Sequence, residues 1–351
     1  MKRKTGLDLL RLVLMLMVVI LHILGQGGVL EATKQDAVKH GAAWFLETAA
    51  YCAVNCYAMI SGYVYVGKKT RLSSLGMIWL QTLVYSLGIA ACAWLLKPEL
   101  FSVKILCYFA FPVTKGAYWY VSAYAGMFLL IPVLNAGIES LSKLQFTRLL
   151  GMVFVMYAIL PTFLKADPYG TQVGYSTMWL CLMYLTGAAI KKYEWGSNLS
   201  KLRLAVVYLL SVAVAWSTIL LPGEKMKSMP LVRYTSPFIV VAAIALLLFF
   251  AKIEVDGKAG RAIVKVAPAA FGVYLIHVHD YVFGHYMGDA FVFLAKKSTC
   301  VMILGVLCAA AAIFVVCLAV DYVRHVVFEK LQIKRCLMKL EEQLIKESCG
   351  R

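Results

Sequence analysis

Long apolar runs separated by short polar segments extend along almost the whole chain. A helix needs about 20 residues to cross a bilayer core, and most of these runs have about that length. The runs are continuous and lack the alternation of barrel strands, so we expect helices. The pattern predicts ten spans with approximate limits 7–26, 43–66, 75–96, 117–138, 147–164, 176–192, 203–221, 236–252, 261–285 and 299–323.

Two other stretches have an apolar pattern that does not predict a span. Residues 101–113 form a short run that reaches Pro112, which is typical of an interfacial or re-entrant segment. Residues 328–346 mix apolar positions with Lys, Arg and Glu, as an amphipathic helix on the inner membrane surface does. The predicted fold is therefore an all-α transmembrane bundle of about ten helices over 1–327, followed by a basic amphipathic tail at 328–351.

The composition supports this membrane assignment. The 351 residues are 62% hydrophobic and 15% charged, with a mean hydropathy of +0.78, which excludes an ordinary soluble domain. The net charge is +17, and about two thirds of the 35 Lys and Arg residues fall in alternate segments that include the N-terminus. This bias predicts that both termini are cytoplasmic. The basic residues are scattered over loops, so we expect no nucleic-acid partner.

The first predicted span contains three ionisable residues, Asp8, Arg11 and His22. Such groups at membrane depth usually face protein or a wet cavity. Arg11 and His22 are eleven residues apart, so they share one helix face and are separated by about 16 Å along the axis. This layout favours a long anionic molecule that enters at Arg11 and brings its reactive end to His22. The alternative is a structural Asp8–Arg11 pair with an interfacial histidine.

A basic cluster of Lys68, Lys69 and Arg71 follows the second predicted span. Arginine binds phosphate through two parallel hydrogen bonds, and the cluster lies on the same predicted side as the N-terminus. It is therefore a candidate phosphate site, with ordinary inner-loop charge as the alternative. Ser61 and Gly62, which precede it, are typical of closely packed helices.

A second histidine motif lies near the end of the ninth predicted span. His277 and Asp280 are one helical turn apart, so the carboxylate is expected to orient the imidazole, unless both belong to an outer polar belt. Pro268 and Gly272 are expected to bend this helix. The histidines show no recognised metal-ligand spacing, and most of the ten cysteines lie inside spans, so no metal is predicted.

Four motifs resemble those of the acyltransferase 3 family of polytopic membrane acyltransferases. They occur in the order found in that family, and they are Leu7-Asp8-Leu9-Leu10-Arg11 with His22, Ile60-Ser61-Gly62-Tyr63 with the basic cluster, Trp119-Tyr120 with Pro132, and Tyr274-Leu275-Ile276-His277. The chain departs from the family in two ways. Leu10 stands where a glycine often precedes the arginine, and no hydrolase-like domain follows the predicted bundle.

The resemblance implies a bacterial plasma-membrane enzyme that moves an acyl group, usually acetyl, from cytoplasmic acyl-CoA to a hydroxyl across the membrane. Implied acceptors are cell-envelope glycans and lipid-linked sugars. Together, the residues and the resemblance predict three groups of site residues. The catalytic group is His22, Asp8 and His277; the donor-binding group is Arg11, Arg71, Lys68 and Lys69; the substrate-binding group is Ser61, Tyr63, Tyr274 and Asp280.

A transporter of a small solute, such as an amino acid, is the alternative function. Buried charges and bent helices also mark solute pathways. Some relatives of the family, notably the membrane part of vancomycin-resistance serine racemases, are regarded as amino-acid carriers. Stabilisation by acyl-CoA that is lost in Arg11→Ala favours the enzyme, whereas solute uptake without CoA favours the carrier.

Overall fold

The computed structural model describes residues 4–100, 102–164, 166–220 and 231–349, and this part of the chain is helical with no β-strand. Its helices of eight or more residues are numbered α1 to α14 in chain order. They are α1 (Thr5–Leu24), α2 (Ala37–Ala50), α3 (Ala53–Tyr65), α4 (Leu72–Leu96), α5 (Val103–Ala110), α6 (Trp119–Ser140), α7 (Lys143–Phe154), α8 (Thr177–Lys192), α9 (Lys201–Leu220), α10 (Pro237–Ala251), α11 (Gly257–Val266), α12 (Ala270–His277), α13 (Thr299–Lys330) and α14 (Ile333–Cys349).

Seven helical segments within the described residues are long and apolar enough to cross a membrane, and each coincides with a predicted span. They are Thr5–Leu24, Leu72–Leu96, Trp119–Ser140, Lys143–Leu164, Lys201–Leu220, Gly257–His277 and Thr299–Lys330. The other three predicted spans fall on α2 with α3, on α8 and on α10, whose helices have 13 to 16 residues. The all-helical architecture is confirmed, while the total of ten spans and the cytoplasmic termini stay predictions.

The short apolar stretch before Pro112 contains α5, which has eight residues and is too short to cross a bilayer. Its Ser102 cap accepts a hydrogen bond from the Ile105 amide at 3.4 Å. The Ser86 hydroxyl of α4 donates to the Phe109 carbonyl at 2.8 Å. Helix α5 therefore packs on α4 as a short helix, in keeping with the expectation that this stretch does not span.

Helix α1 occupies a central position in the described part of the bundle. Its apolar window is 61% buried, compared with 11–44% for the other six candidate spans. It packs against α2, α3, α10, α11, α12 and α13. A Cβ on Gly6 would collide with the carbonyl oxygens of Phe250 and Ile253, so this glycine brings the start of α1 directly against the end of α10.

Helices α3 and α8 pack at very short range. A Cβ on Gly62 would collide with the carbonyl oxygen of Tyr184, and a Cβ on Gly187 would collide with that of Met59. Small residues allow the backbones of membrane helices to approach in this way. The packing role predicted for Gly62 is therefore confirmed.

The predicted span 261–285 is divided by a turn and ends early. Pro268 lies in a short 3₁₀ turn between α11 and α12, as its predicted bend requires. Helix α12 ends at His277, because the His279 side chain accepts a hydrogen bond from the Tyr281 amide at 3.2 Å and begins a new turn. Since α12 packs against α1, its C-terminal end brings His277 to the centre of the bundle.

The chain turns sharply after α13 and closes with α14, which packs on α4. The turn contains Gln332 at a φ of 53°. The Glu341 carboxylate of α14 accepts hydrogen bonds from the amides of Leu72 at 2.8 Å and Ser73 at 3.2 Å. It thereby satisfies amides at the start of α4 that lack partners within the helix, and its charge complements the helix dipole. The predicted amphipathic tail is helical from residue 333 and docks on the bundle.

Candidate active site

Arg11 is held by an acidic partner one turn earlier on α1. Its Nη1 lies 2.6 Å from Oδ1 of Asp8, whose side chain is 1% exposed, whereas that of Arg11 is 31% exposed. The pairing lowers the cost of burying the carboxylate. It occupies part of the guanidinium and leaves further N–H donors for an anion. The Tyr57 hydroxyl donates to the carbonyl of Arg11 at 2.6 Å and packs α3 onto this part of α1.

Arg11 and His22 line two neighbouring cavities. The cavity beside Arg11 has a volume of about 340 Å³, and its polar lining residues are Arg11, Tyr57, Ser61, Tyr65, Gln81, Tyr120 and Tyr124. The cavity beside His22 also has a volume of about 340 Å³. Besides His22, its wall is rich in aromatic side chains: Tyr57, Trp119, Tyr120, Tyr175, Tyr234, Phe271, Tyr274 and Phe283.

Three aromatic residues, Tyr57, Tyr120 and Phe271, belong to the walls of both cavities. We call these three side chains the aromatic wall. Arg11 and His22 of α1 thus line two neighbouring cavities that share the aromatic wall.

His22 pairs with His277 across the bundle. Nδ1 of His22 lies 2.9 Å from Nε2 of His277, although the two residues are 255 positions apart in the sequence. The other ring nitrogen of His277, Nδ1, lies 2.5 Å from the carbonyl oxygen of Val273 in the preceding turn of α12. The Phe283 ring contacts His22 edge-on, with ring centroids 5.1 Å apart.

This arrangement assigns the tautomers of both neutral rings. A carbonyl oxygen only accepts, so Nδ1 of His277 carries the proton and donates to Val273. Nε2 of His277 then has a lone pair and accepts a hydrogen bond from Nδ1–H of His22. The remaining nitrogen of His22, Nε2, is therefore unprotonated, and His22 lines the cavity. An unprotonated imidazole nitrogen suits proton abstraction or nucleophilic attack.

Comparison with known proteins identifies the chain at the level of a family. A family model described as an acyltransferase domain matches residues 4–322, which cover both histidines, the Arg11 cavity and most of the bundle. The chain belongs to the acyltransferase 3 family. No curated protein matches the chain, and no solved structure matches it. Family membership together with the candidate spans makes the protein a multi-pass membrane acyltransferase.

The acyltransferase differs from our expectation at Asp280. That carboxylate was predicted to orient His277, and this prediction is wrong, because both ring nitrogens of His277 are engaged by His22 and Val273. Asp280 is exposed and lies close to the hydroxyl of Tyr108 instead. The helical spacing suggested a contact that cannot form, because α12 ends at His277.

The predicted donor-binding residues are only partly brought together. Arg11 lines its cavity, whereas Lys68, Lys69 and Arg71 are exposed on the loop between α3 and α4 and lie outside the lining described above. Arg71 lies near Glu341 of α14. Hydrogen bonds from the Ser73 side chain, then from the backbone amides of Ser73 and Leu72, together with the charge of Arg71, lower the pKa of the Glu341 carboxyl.

The remaining predicted site residues do not form one group. Ser61 lines the Arg11 cavity, and Tyr274 lines the His22 cavity. Tyr63 faces elsewhere, since its hydroxyl accepts a hydrogen bond from Lys4 at 3.0 Å. Asp8 supports Arg11 and lies about 21 Å along the helix axis from His22. Its predicted catalytic role therefore requires action through Arg11 rather than contact with the histidine pair.

Sequence reasoning missed a second buried ion pair, formed by Asp321 and Arg324 on α13. Arg324 Nε lies 2.7 Å from Oδ1 of Asp321, which is 0% exposed and also accepts hydrogen bonds from Gln81 and Tyr85. A Cβ on Gly272 would collide with the Asp321 side chain, so this network ties α12 to α13. The signal was the same Asp-x-x-Arg spacing as in α1, hidden because the predicted span ended at residue 323.

Within the described ranges, no group of three or more His, Cys, Asp and Glu side chains is arranged to hold a metal ion. The nine cysteines from Cys52 to Cys336 are free thiols. That the enzyme works without a metal stays a prediction.

Proposed function

We propose that this membrane acyltransferase transfers an acyl group, most simply acetyl, from cytoplasmic acyl-CoA to a hydroxyl of a cell-envelope glycan or lipid-linked sugar. The proposal rests above all on the His22–His277 pair, which leaves Nε2 of His22 unprotonated, and on the cavity lined by His22, which shares the aromatic wall with the cavity of Arg11. A bacterial plasma membrane, with the Arg11 end of α1 on the inside, is the location that fits this proposal and the distribution of Lys and Arg.

Arg11 is suited to the anionic part of the donor. Its guanidinium is permanently charged, is oriented by Asp8 and lines a cavity of about 340 Å³. The reactive thioester then has to lie near the aromatic wall, since His22 is about 16 Å farther along α1. A flexible pantetheine arm has the elongated shape that this separation requires.

The chemistry proceeds at Nε2 of His22. This nitrogen removes the proton from the acceptor hydroxyl, and the oxygen attacks the thioester carbonyl carbon. The carbon–sulfur bond breaks, and the departing CoA thiolate takes the proton back from His22. His277 accepts a hydrogen bond from Nδ1–H throughout, so it stabilises the transient imidazolium. A transient acyl group on the same Nε2 is the alternative route.

The wall of the His22 cavity supports a sugar acceptor. The ring centroids of Trp119 and Tyr175 are 4.5 Å apart, and those of Tyr175 and Tyr234 are 5.0 Å apart. Together these rings form an extended aromatic part of the wall of the His22 cavity. Aromatic faces bind the apolar C–H faces of pyranose rings and leave the sugar hydroxyls free to reach the base.

The decisive test is His22→Ala in membrane vesicles supplied with radiolabelled acetyl-CoA. We expect a fall in acyl transfer of at least about 10²-fold, as for loss of a general base, with normal amounts of folded protein. His285→Ala is the matched control, since His285 is exposed and outside both cavities. Undiminished transfer by His22→Ala would rule out the mechanism. Solute uptake without CoA, and no acyl transfer, would support the transporter instead.

A further inference from the structure

A third cavity of about 910 Å³ lies between α11, α13 and α14, and we call it the basic groove. Its charged lining comes from Lys265 of α11, His325 and Glu329 of α13, and Lys334 and Arg335 of α14. It also shares the residue Pro268 with the Arg11 cavity. The Arg11 cavity therefore adjoins the basic groove at Pro268 and the His22 cavity at the aromatic wall.

The charges in the basic groove favour an anion. Nε2 of His325 lies 3.4 Å from Oε1 of Glu329, so the acidic side chain has a local partner. Lys265 lies over the ring of Tyr322, with Nζ 5.5 Å from the centroid. The cations of Lys265, Lys334 and Arg335 exceed the single carboxylate in number, and the two on α14 are exposed to incoming solute.

Arg11 alone is a poor match for the charge of CoA, which carries a diphosphate and a separate 3′-phosphate. Part of its guanidinium is committed to Asp8. The loop residues Lys68, Lys69 and Arg71 do not belong to the lining of the Arg11 cavity. The basic groove adjoins that cavity and supplies the additional cations.

We propose that the basic groove binds the phosphorylated nucleotide part of the acyl donor, with Lys265, Lys334 and Arg335 as its phosphate-binding residues. This inference rests on the proposed function, because it assumes a CoA donor. It adds a role for α14, which lies beyond the residues matched by the family model. Docking of α14 through Glu341 onto α4 then holds two of the three cations in place.

The experiment measures the dissociation constants of CoA and 3′-dephospho-CoA for the purified full chain by calorimetry. Lys334→Gln/Arg335→Gln is compared with Lys339→Gln/Lys346→Gln, which removes two positive charges from the same helix outside the groove lining. We expect the first pair to weaken CoA binding by about 3- to 30-fold, the range for two exposed charge contacts. The control pair should stay within about twofold of wild type.

Binding of 3′-dephospho-CoA shows whether Lys334 and Arg335 contact the 3′-phosphate directly or whether their replacement weakens CoA binding by altering the structure. Wild type should bind 3′-dephospho-CoA more weakly than CoA, and this difference should shrink in Lys334→Gln/Arg335→Gln, because the lost partners are the same. The charge-preserving Lys334→Arg/Arg335→Lys should retain most of the CoA affinity. If both double-Gln variants bind CoA as tightly as wild type, the inference is overturned.

An anionic lipid headgroup has the same phosphate chemistry, so the measurements are repeated in nanodiscs with and without phosphatidylglycerol. An effect of Lys334→Gln/Arg335→Gln on lipid retention, with an unchanged constant for CoA, assigns the groove to lipid and overturns the inference. If Lys334→Gln/Arg335→Gln binds CoA like wild type, and acyl transfer still depends on His22, the inference about the groove fails but the proposed function is unaffected. Absence of CoA binding by wild type overturns both the inference and the donor assignment.

Discussion

At the scale of single residues, the candidate site depends on two side chains of α1, Arg11 with a partner one turn away and His22 with a partner on α12. The helical period placed Arg11 and His22 on one face of α1, and both line cavities as expected. The Asp8–Arg11 pair also follows from spacing alone. The partner of His22 could not be predicted from spacing, because His277 is 255 positions away and a single sequence does not indicate such a contact.

The histidine pair makes a residue-scale prediction. His277→Ala removes the acceptor that fixes Nδ1–H of His22, so we expect kcat to fall by about 10- to 100-fold while KM for the donor changes little. His277→Gln keeps an oxygen that accepts this hydrogen bond and should retain more activity than the alanine variant. Steady-state kinetics with acetyl-CoA as the varied substrate measure both.

Equal losses in His277→Ala and His277→Gln would contradict the assigned direction of the hydrogen bond. A change confined to KM would instead place His277 in donor binding.

At the scale of elements, hydropathy predicted where helices lie better than where they break. The seven candidate spans coincide with predicted runs, because length and apolarity suffice to define them. The early end of α12 depends on the hydrogen bond that His279 accepts from the Tyr281 amide. Hydropathy does not encode such a cap, so the span was extended to residue 285 and Asp280 was wrongly placed inside the helix.

The close packing of α3 on α8 makes a prediction about stability. In Gly62→Val the new side chain meets the Tyr184 carbonyl, so the two helices must separate. We expect a destabilisation of about 1–3 kcal/mol, as for other overpacked cores, and a lower Tm of the purified protein in detergent. Gly137→Ala is the control, because no atom lies within 4 Å of its added Cβ. An unchanged Tm for Gly62→Val would show that this contact is not tight in solution.

At the scale of the whole molecule, the positions of Lys and Arg predict orientation, while the docking of α14 could be seen only in the structure. The sequence predicted an amphipathic helix on a membrane surface, which needs an apolar stripe and no specific partner. The observed helix packs on α4 and contributes Lys334 and Arg335 to the basic groove. That partner depends on the turn at Gln332, whose positive φ no composition argument reveals.

Thiol labelling tests the predicted orientation. In a variant that retains Cys336 as its single cysteine, an impermeant maleimide added to intact cells should label this exposed residue only after permeabilisation. A single cysteine introduced at Lys297, just before α13, should be labelled in intact cells. The reverse labelling pattern would show that the protein has the opposite orientation, in which Arg11 lies at the outer end of α1 and the donor cannot enter from the cytoplasm.

A catalytic centre that receives one substrate from each face of a bilayer is also a place where ions could leak. Moving one elementary charge through the membrane potential releases about 2.3 kcal/mol per 100 mV, so even a narrow continuous water column would drain the cell's energy. Tyr57, Tyr120 and Phe271 stand between the two halves of the path. If the proposed mechanism holds, these rings have to move aside for the thioester while they keep the two cavities from joining into one water-filled path.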